Sequence, residues 1–191
     1  MIVFTNFGFA YPDSGNELAR AIETTGSMLI ISLAGTAADA EAEKKGAVKH
    51  GFNEDDIVIF TPDKAEEIKH KDFNNIILTG GNTFKLLSEV RRYSLDEYIR
   101  SQYNKGSTYI GVSAGAYLAC TSSIEYVKLF EDNNHITDGN YTGLGLTQKH
   151  VLCHSDMRSL ADMLNIRRFI GFDSKELICV SGNEAVIIKE E

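Results

Sequence analysis

The sequence predicts an α/β fold built on a mostly parallel sheet with helices on both faces. Unbroken apolar runs of strand length alternate with helical patterns along most of the chain. Parallel strands that are buried on both faces have this continuous apolar character. The last two runs, 177–181 and 185–189, flank the polar turn 181–184 and predict a C-terminal β-hairpin.

The first half of the chain contains three predicted strands and three predicted helices. The strands are short, apolar and rich in β-branched residues: Ile2–Thr5, Ser27–Leu33 and Ile57–Phe60. The first helical pattern places Leu18, Ala21 and Ile22 on one face. Helices are predicted over 14–24, from the small-residue segment 35–39 to His50, and over 65–70.

In the second half, two strands each run directly into a glycine-containing turn. These strands are Asn75–Leu78 and Thr108–Val112. Helices are predicted over 84–90, over 95–104 and from Ala116 onward, whereas 121–150 is polar and irregular. A strand at 151–153 and a helix at 160–169 complete the pattern before the hairpin.

Length, charge and cysteine usage narrow the function classes. The 191 residues predict one domain, 1–191. The net charge of −8 argues against nucleic acid or an anionic membrane as a partner, because both need a basic face. No apolar run reaches the roughly 18 residues of a membrane helix. Three cysteines without a C-x-x-C pair suggest no zinc site or disulfide framework, and the start lacks a secretory signal, so a cytoplasmic location is expected.

The parallel sheet also predicts where a site would lie. In such sheets, ligands bind outside the carboxyl ends of the strands. Three segments follow predicted strands and should meet there: 34–39, 79–83 and 111–115.

The segment 111–115, GVSAG, fits the G-x-S-x-G pattern of a nucleophile elbow and lies between a strand and a helix. The glycines let strand and helix pass closely, and the sharp turn exposes the serine hydroxyl. Ser113 is therefore a candidate nucleophile, with the N–H of Ala114 as an oxyanion donor. The alternative is a small-residue turn in which Ser113 only caps the helix.

The turn 79–83, TGGNT, follows the strand Asn75–Leu78. Its two glycines expose backbone N–H groups, and we expect that of Gly81 to be the second oxyanion donor. Gly80 and Asn82 are candidate substrate-binding residues. A phosphate cradle is a competing use, but neither a P-loop lysine nor G-x-G-x-x-G is present. A simple tight turn, with Asn82 or Thr83 capping the next helix, is the other alternative.

A nucleophilic serine needs a base, and His154 is the favoured histidine because it follows a predicted strand downstream of the elbow. His150 is the second choice. The remaining histidines, His50, His70 and His135, lie in charged or polar patterns that are typical of the surface.

A carboxylate should hold the imidazole tautomer. Asp156, Asp173 and Glu176 are the candidates. Asp156 is more suited to capping the helix that follows it, and the sequence does not separate Asp173 from Glu176. Asp39 and Glu41 have the pattern of acidic residues at a helix N-terminus.

The segments LTGGNTFKLL (78–87) and YIGVSAGA (109–116), with a histidine about forty residues later, resemble the peptidase E (aspartyl dipeptidase) family of serine peptidases. Cyanophycinase is a longer relative of that family. The resemblance also covers 32–38 and the final hairpin, so it spans most of the chain.

The resemblance implies a fold like that of class I glutamine amidotransferases, a cytoplasmic location and hydrolysis of small peptides without metal or another cofactor. It implies Ser113 as nucleophile, His154 as base, and Gly81 and Ala114 as oxyanion-hole donors. It places the third triad member near Asp173, with Glu176 close by. We therefore predict a serine peptidase for short peptides, acting as a monomer or homodimer, with Asp-X dipeptides as one candidate substrate class.

Three departures from the family pattern keep other functions open. His154 lies in LCHS (152–155), where the family usually has Asn/Leu-Pro-His-Tyr; 121–124 reads TSSI where many members have Pro-Thr-Ile; and Lys128 replaces an aspartate. The arginine that selects an N-terminal aspartate is not placed, so hydrolysis transfers better than Asp-X specificity. The alternatives are another acyl hydrolase, such as an esterase or amidase, and a non-catalytic binding protein.

Overall fold

This computed structural model describes residues 1–120, 123–129, 133–155, 169–171, 176–181 and 184–189. For 169–171, 176, 177, 181 and 184–189 the description is limited to the backbone. The strands are β1 (Ile2–Thr5), β2 (Met28–Ile31), β3 (Ile57–Ile59), β4 (Asn75–Leu78), β5 (Thr108–Val112), β6 (His150–Leu152), β7 (Phe169–Gly171), β8 (Glu176–Ser181) and β9 (Glu184–Lys189).

The helices alternate with these strands, as the sequence predicts. They are α1 (Pro12–Ala21), α2 (Ala37–Lys49), α3 (Ala65–Lys69), α4 (Thr83–Arg92), α5 (Leu95–Asn104) and α6 (Ala114–Leu118). Short 3₁₀ helices cover Glu54–Asp56, Pro62–Lys64 and Glu125–Leu129. The predicted α/β class is confirmed. Among the described residues, no helix has both the length and the apolar character that crossing a membrane requires.

One seven-stranded sheet organises the molecule, in the order β3-β2-β4-β5-β1-β8-β9. The first five strands in this order are parallel to one another. β8 is antiparallel to both β1 and β9, which confirms the predicted C-terminal hairpin. This order puts β1 beside β5, although about a hundred residues separate them in sequence.

Alternate side chains of each strand pack into two cores on opposite faces of the sheet. In β4, Ile76 and Leu78 join the core formed with α3, α4, α5 and α6, whereas Ile77 joins the core formed with α1 and α2. Both cores consist of buried apolar side chains, so every strand of the parallel set needs apolar residues on both faces. This explains the unbroken apolar runs of the sequence.

The region before the hairpin differs from the prediction. β6 begins one residue earlier than expected and pairs in parallel with β7 in a separate two-stranded sheet. Phe169, predicted as the end of a helix, instead begins β7, because a short apolar run fits a buried strand and a helix equally well. Residues 160–168 of that predicted helix lie outside the described residues.

Candidate active site

The loops that follow β1, β2, β4 and β5 converge at the carboxyl edge of the sheet, where parallel α/β folds hold their sites. They line a cleft of about 510 Å³, within the roughly 300–1,000 Å³ range of small-molecule sites. The cleft is bounded by the segment 6–11, the segment 32–35, the turn 79–81, the elbow at Ser113, one face of α2, and His154.

Ser113 occupies a strained backbone position between β5 and α6. Its φ of 50° and ψ of −106° lie in a region that L-residues rarely adopt. Its N–H donates to the Thr5 carbonyl at 2.8 Å, and its own carbonyl accepts from the Ala116 N–H at 2.9 Å. These bonds fix the turn, and the hydroxyl is left facing the cleft rather than capping α6.

Both glycines of the elbow are required by close backbone contacts. A Cβ on Gly115 would clash with the Leu78 carbonyl oxygen, and one on Gly111 would lie 2.8 Å from the Ala116 Cα. The strand and helix therefore approach closely enough only because these two positions lack side chains. This is the steric reason that the sequence pattern predicts.

The strain at Ser113 should be measurable as a difference in stability between two variants. We expect Ser113→Gly to be about 1 kcal/mol more stable than Ser113→Ala, because both lack the hydroxyl and only glycine tolerates this conformation without cost. Urea unfolding of the two variants measures the difference. An alanine variant as stable as the glycine variant would show that the backbone at 113 is not strained.

His154 lies next to Ser113, as the sequence predicts. Its Nε2 is 3.1 Å from the Ser113 Oγ, within hydrogen-bond reach. The His154 backbone has a φ of 55°, and its N–H donates to the Oδ1 of the buried Asn6 at 2.9 Å. The Phe7 ring meets the imidazole edge-on, with the ring centroids 5.4 Å apart. The loop after β1 therefore fixes both the backbone and the ring of His154.

The other histidines lie away from this pair. His150 is in β6 and packs against Tyr126, with ring centroids 5.6 Å apart. The Nδ1 of His50 is 2.8 Å from the Gly46 carbonyl oxygen. His70 and His135 are exposed, as their polar surroundings predict.

The third member of the predicted triad stays a prediction. Asp156 and Asp173 lie outside the described residues. Glu176 is the first residue of β8, and only its backbone is described. The next residue, Leu177, pairs with Thr5 at the end of β1, so Glu176 lies at the sheet edge that carries Asn6.

The Gly-Gly-Asn turn packs directly against the elbow. A Cβ on Gly80 would lie 3.3 Å from the Ser113 Cβ. Gly81 has a φ of 119°, and a Cβ there would lie 2.7 Å from the Ala34 Cβ. Only glycine fits at Gly81, both by conformation and by space, so its backbone closely approaches the loop after β2.

Asn82 and Gly80 were both expected to contact substrate, and they differ in position. Gly80 lines the cleft. The Asn82 side chain instead caps α4, with Oδ1 accepting from the Lys85 N–H at 2.8 Å, and its Nδ2 donates to the Asn133 carbonyl at 2.8 Å. These contacts hold the turn and the loop around Asn133; a substrate contact by Asn82 stays a prediction.

Sequence reasoning missed Asn6, Phe7 and Glu43. Asn6 and Phe7 follow β1, and they would have been found had β1 been recognised as a central strand whose carboxyl end joins the same edge. Glu43 lies four residues after Asp39 on α2, a spacing that places two carboxylates on one helix face. Both acidic residues line the cleft.

The two carboxylates have different environments. Asp39 is exposed and forms a capping box with Thr36, as expected for an acidic residue at a helix start. Hydrogen bonds from the backbone and side chain of Thr36 lower the pKa of Asp39. Glu43 is only 6% exposed, and burial raises its pKa to about 7, with hydrogen bonds from the backbones of Ala10 and Phe9 acting in the opposite direction.

The raised pKa of Glu43 predicts a stability change with pH. Its ordinary value is 4.5, so between pH 4.5 and pH 7 the folded protein holds a proton that the unfolded chain releases. The free energy of unfolding therefore falls as pH rises through this window, by on the order of 3 kcal/mol from this residue. Glu43→Gln should remove that fall. The free energy of unfolding of the variant should therefore increase relative to that of the wild type as pH rises.

Urea unfolding across this pH window measures the effect. Glu41→Gln is the matched control, because Glu41 is exposed on the same helix and lies outside the cleft. Parallel pH curves for wild type and Glu43→Gln would contradict the prediction.

Comparison with known proteins gives a consistent result. A sequence model of peptidase family S51 matches residues 33–191. An uncharacterized peptidase from Listeria monocytogenes is 28% identical over 155 residues, which cover 78% of this chain and 73% of that protein. Peptidase E from a Shewanella species is 44% identical over 61 residues, which cover 32% of this chain and 25% of that protein.

Two solved structures share the fold. The crystal structure of a proposed peptidase E protein from Listeria monocytogenes matches with a TM-score of 0.82 and 22% identity, covering 100% of this chain and 98% of that one. A peptidase from an acI-B1 Actinobacterium matches with a TM-score of 0.67 and 16% identity, covering 99% and 87%. At these identities the structures support the fold alone.

Proposed function

Because this chain belongs to peptidase family S51 and is a serine-type peptidase, we propose that it cleaves short peptides through an acyl-enzyme formed on Ser113. The observation that carries the proposal is the 3.1 Å distance between the Ser113 Oγ and the His154 Nε2. A serine on a strained elbow, within hydrogen-bond reach of an imidazole, is the arrangement that activates a hydroxyl as a nucleophile.

The proposed reaction has two halves. The Ser113 Oγ attacks the scissile carbonyl carbon while its proton passes to the His154 Nε2. The tetrahedral intermediate collapses, the carbon–nitrogen bond breaks, and His154 returns the proton to the leaving amine. A water molecule, deprotonated by His154, then attacks the acyl-enzyme, and the acid product leaves as the proton returns to the Ser113 Oγ.

Backbone N–H groups are the proposed stabilisers of the oxyanion. Ala114 is the first residue of α6, so its N–H has no acceptor within that helix. Gly81 lies in the turn that packs on the elbow and lines the same cleft. The N–H groups of these two residues are the donors that the proposal assigns to the oxyanion.

The third triad member is proposed to be Asp173, with Glu176 as the alternative. The edge position of Glu176, next to the strand end that leads to Asn6, keeps Glu176 as the alternative. A carboxylate there would orient the imidazole and stabilise its charged form during proton transfer. A carboxylate from Asp173 would have the same role.

Substrate class and location are the finer parts of the proposal. The name of the Shewanella relative, peptidase E, and the size of the cleft support short peptides as substrates. Asp-X dipeptides and a cytoplasmic location are predictions from the family resemblance. Ester or amide hydrolysis at the same serine is the rival activity, while the Ser113–His154 distance gives no support to a non-catalytic protein.

The experiment combines covalent labelling with a substrate panel. A fluorophosphonate should add to the peptide that contains Ser113, detected by mass spectrometry, and should not add in Ser113→Ala. Dipeptides with aspartyl and other first residues, and simple esters, are then compared on the wild type. Peptide turnover with serine labelling supports the proposal; turnover of esters alone, or no labelling of a folded protein, would reject it.

A further inference from the structure

The catalytic cleft carries negative charge on the wall formed by α2. Asp39 and Glu43 line it from successive turns of this helix. Among the described residues that line the cleft, none is a lysine or an arginine. A substrate therefore meets two carboxyl groups on this wall and no described cation that neutralises them.

Glu43 is the more unusual of the two groups. A buried carboxyl group is normally paired with a cation or fully hydrogen-bonded. Glu43 is buried, yet no ion pair reaches it within the described part of the chain. Its hydrogen bonds come from backbone N–H groups, including that of Ala10 to Oε2 at 3.3 Å. A buried carboxyl group that opens on a reaction cleft without a cation is a candidate for contact with a ligand.

The backbone of the loop after β1 is shaped around this carboxyl group. A Cβ on Gly8 would clash with the Glu43 Oε1, so the loop can pass only because this position is glycine. The same loop carries Phe7, which packs against the His154 ring. The Glu43 carboxyl group is thus held in place at the cleft by the segment that also positions the base.

A second buried polar group, the hydroxyl of Thr79, belongs to a residue that lines the same cleft. Thr79 is only 5% exposed, and its Oγ1 is buried with no hydrogen-bond partner among the residues that the structure describes. A buried hydroxyl without a partner is costly unless a ligand satisfies it. Thr79 lines the cleft and immediately precedes the Gly80-Gly81 turn, which packs against Ser113.

We propose that Glu43, supported by Asp39, binds a primary ammonium group of the substrate and thereby selects peptides that carry one in the Ser113 cleft. This inference rests on the proposed peptidase function and names its substrate class. An ammonium group brings three donors and a positive charge, which complement carboxylate oxygens and an acceptor hydroxyl. The group is either the free α-amine of a short peptide or the side chain of a lysine.

The test separates binding from turnover by using Ser113→Ala protein and intact peptides. Calorimetry measures Ala-Ala, N-acetyl-Ala-Ala and N-acetyl-Lys-Ala. If the α-amine is the ligand, Ala-Ala should bind about 10- to 100-fold more tightly than N-acetyl-Ala-Ala. If the lysine side chain is the ligand, N-acetyl-Lys-Ala should show that advantage over N-acetyl-Ala-Ala.

Adding Glu43→Gln should reduce either preference to about one- to threefold, because the amide keeps the shape and loses the charge. Glu41→Gln is the matched control: it removes the same charge from the same helix, outside the cleft, and should leave the preference intact. A preference that survives Glu43→Gln, or that Glu41→Gln abolishes equally, would overturn the proposal. Equal binding of all three peptides would also overturn it.

Measuring the binding preference over a pH series provides a further test, because the preference would not change with pH if Glu43 had a purely structural role. The preference for the ammonium peptide should grow as pH rises through the pKa of Glu43, about 7, until the α-amine begins to lose its own proton near pH 8. Among the described residues, Asp39 is the charged group that acts on Glu43, and its lowered pKa keeps its charge constant over this range. His154 is a further titratable group that lines the cleft with them.

Glu43→Asp is the second variant, to be used if Glu43→Gln fails to fold. It keeps the charge on a shorter side chain and should retain part of the preference. Loss of the preference in a folded Glu43→Asp protein would count against the role of the charge. Failure of the peptidase function has a separate signature, because wild-type protein would then bind ammonium peptides with the same preference and not cleave them.

Discussion

Replacing Ser113 with alanine is expected to lower peptide hydrolysis by about 10⁴- to 10⁶-fold while the protein stays folded. The substitution removes the oxygen atom on which the proposed acyl-enzyme forms. The remaining rate would come from the oxyanion donors and from substrate binding. Steady-state kinetics on a dipeptide measures the loss, and circular dichroism with urea unfolding checks the fold.

Ser32→Ala is the matched control for this experiment. Ser32 lines the same cleft from the loop after β2, and its Oγ forms no hydrogen bond with any residue that the structure describes. Its loss should change hydrolysis by no more than a few fold. If Ser113→Ala kept more than about a hundredth of the wild-type rate, acyl-enzyme formation on Ser113 would be rejected.

Much of the fold was predictable because its strands have recognisable local sequence patterns. β1, β4 and β5 match their predicted ranges to the residue, since each is a short, mainly apolar run that is followed by a polar residue. α5 also matches, from Leu95 to Asn104. The elbow was predictable for a related reason. Its glycines, Gly111 and Gly115, are required by close contacts with residues that are nearby in sequence or in the neighbouring strand.

The parts of the site that the sequence left open depend on strand order. Only the pairing of β1 with β5 brings Asn6 and Phe7 next to Ser113 and His154, and this contact spans most of the chain. No local pattern encodes it. Glu43 was missed for a different reason: its helix reads as an Ala/Glu/Lys-rich surface helix, and the burial of one glutamate depends on the loop around Gly8.

The choice of His154 over His150 came from its position after a strand rather than from its own neighbours in sequence. The structure shows why neighbours were a poor guide. The φ of 55° turns the His154 backbone sharply at the end of β6, and Asn6 holds it there. A residue 148 positions away in sequence therefore helps to hold the His154 backbone.

The second large effect is expected at this histidine. His154→Asn should lower peptide hydrolysis by about 10³- to 10⁴-fold, because the amide cannot accept the proton from Ser113. Asparagine is the preferred replacement since it tolerates positive φ better than most residues. The backbone bond from residue 154 to Asn6 can then persist, so the kinetic loss reports the missing base and not a misfolded loop.

The pH profile separates a lost base from a weakened binding site. In the wild type, kcat/KM should fall at acidic pH, because an imidazolium cannot take the proton of the attacking hydroxyl. His154→Asn should lose that acidic limb along with the rate. His150→Ala is the control, since His150 packs on Tyr126 in β6 and should keep both the rate and the limb. An unchanged acidic limb in His154→Asn would mean that another group, with Glu43 the first to examine, controls the reaction at low pH.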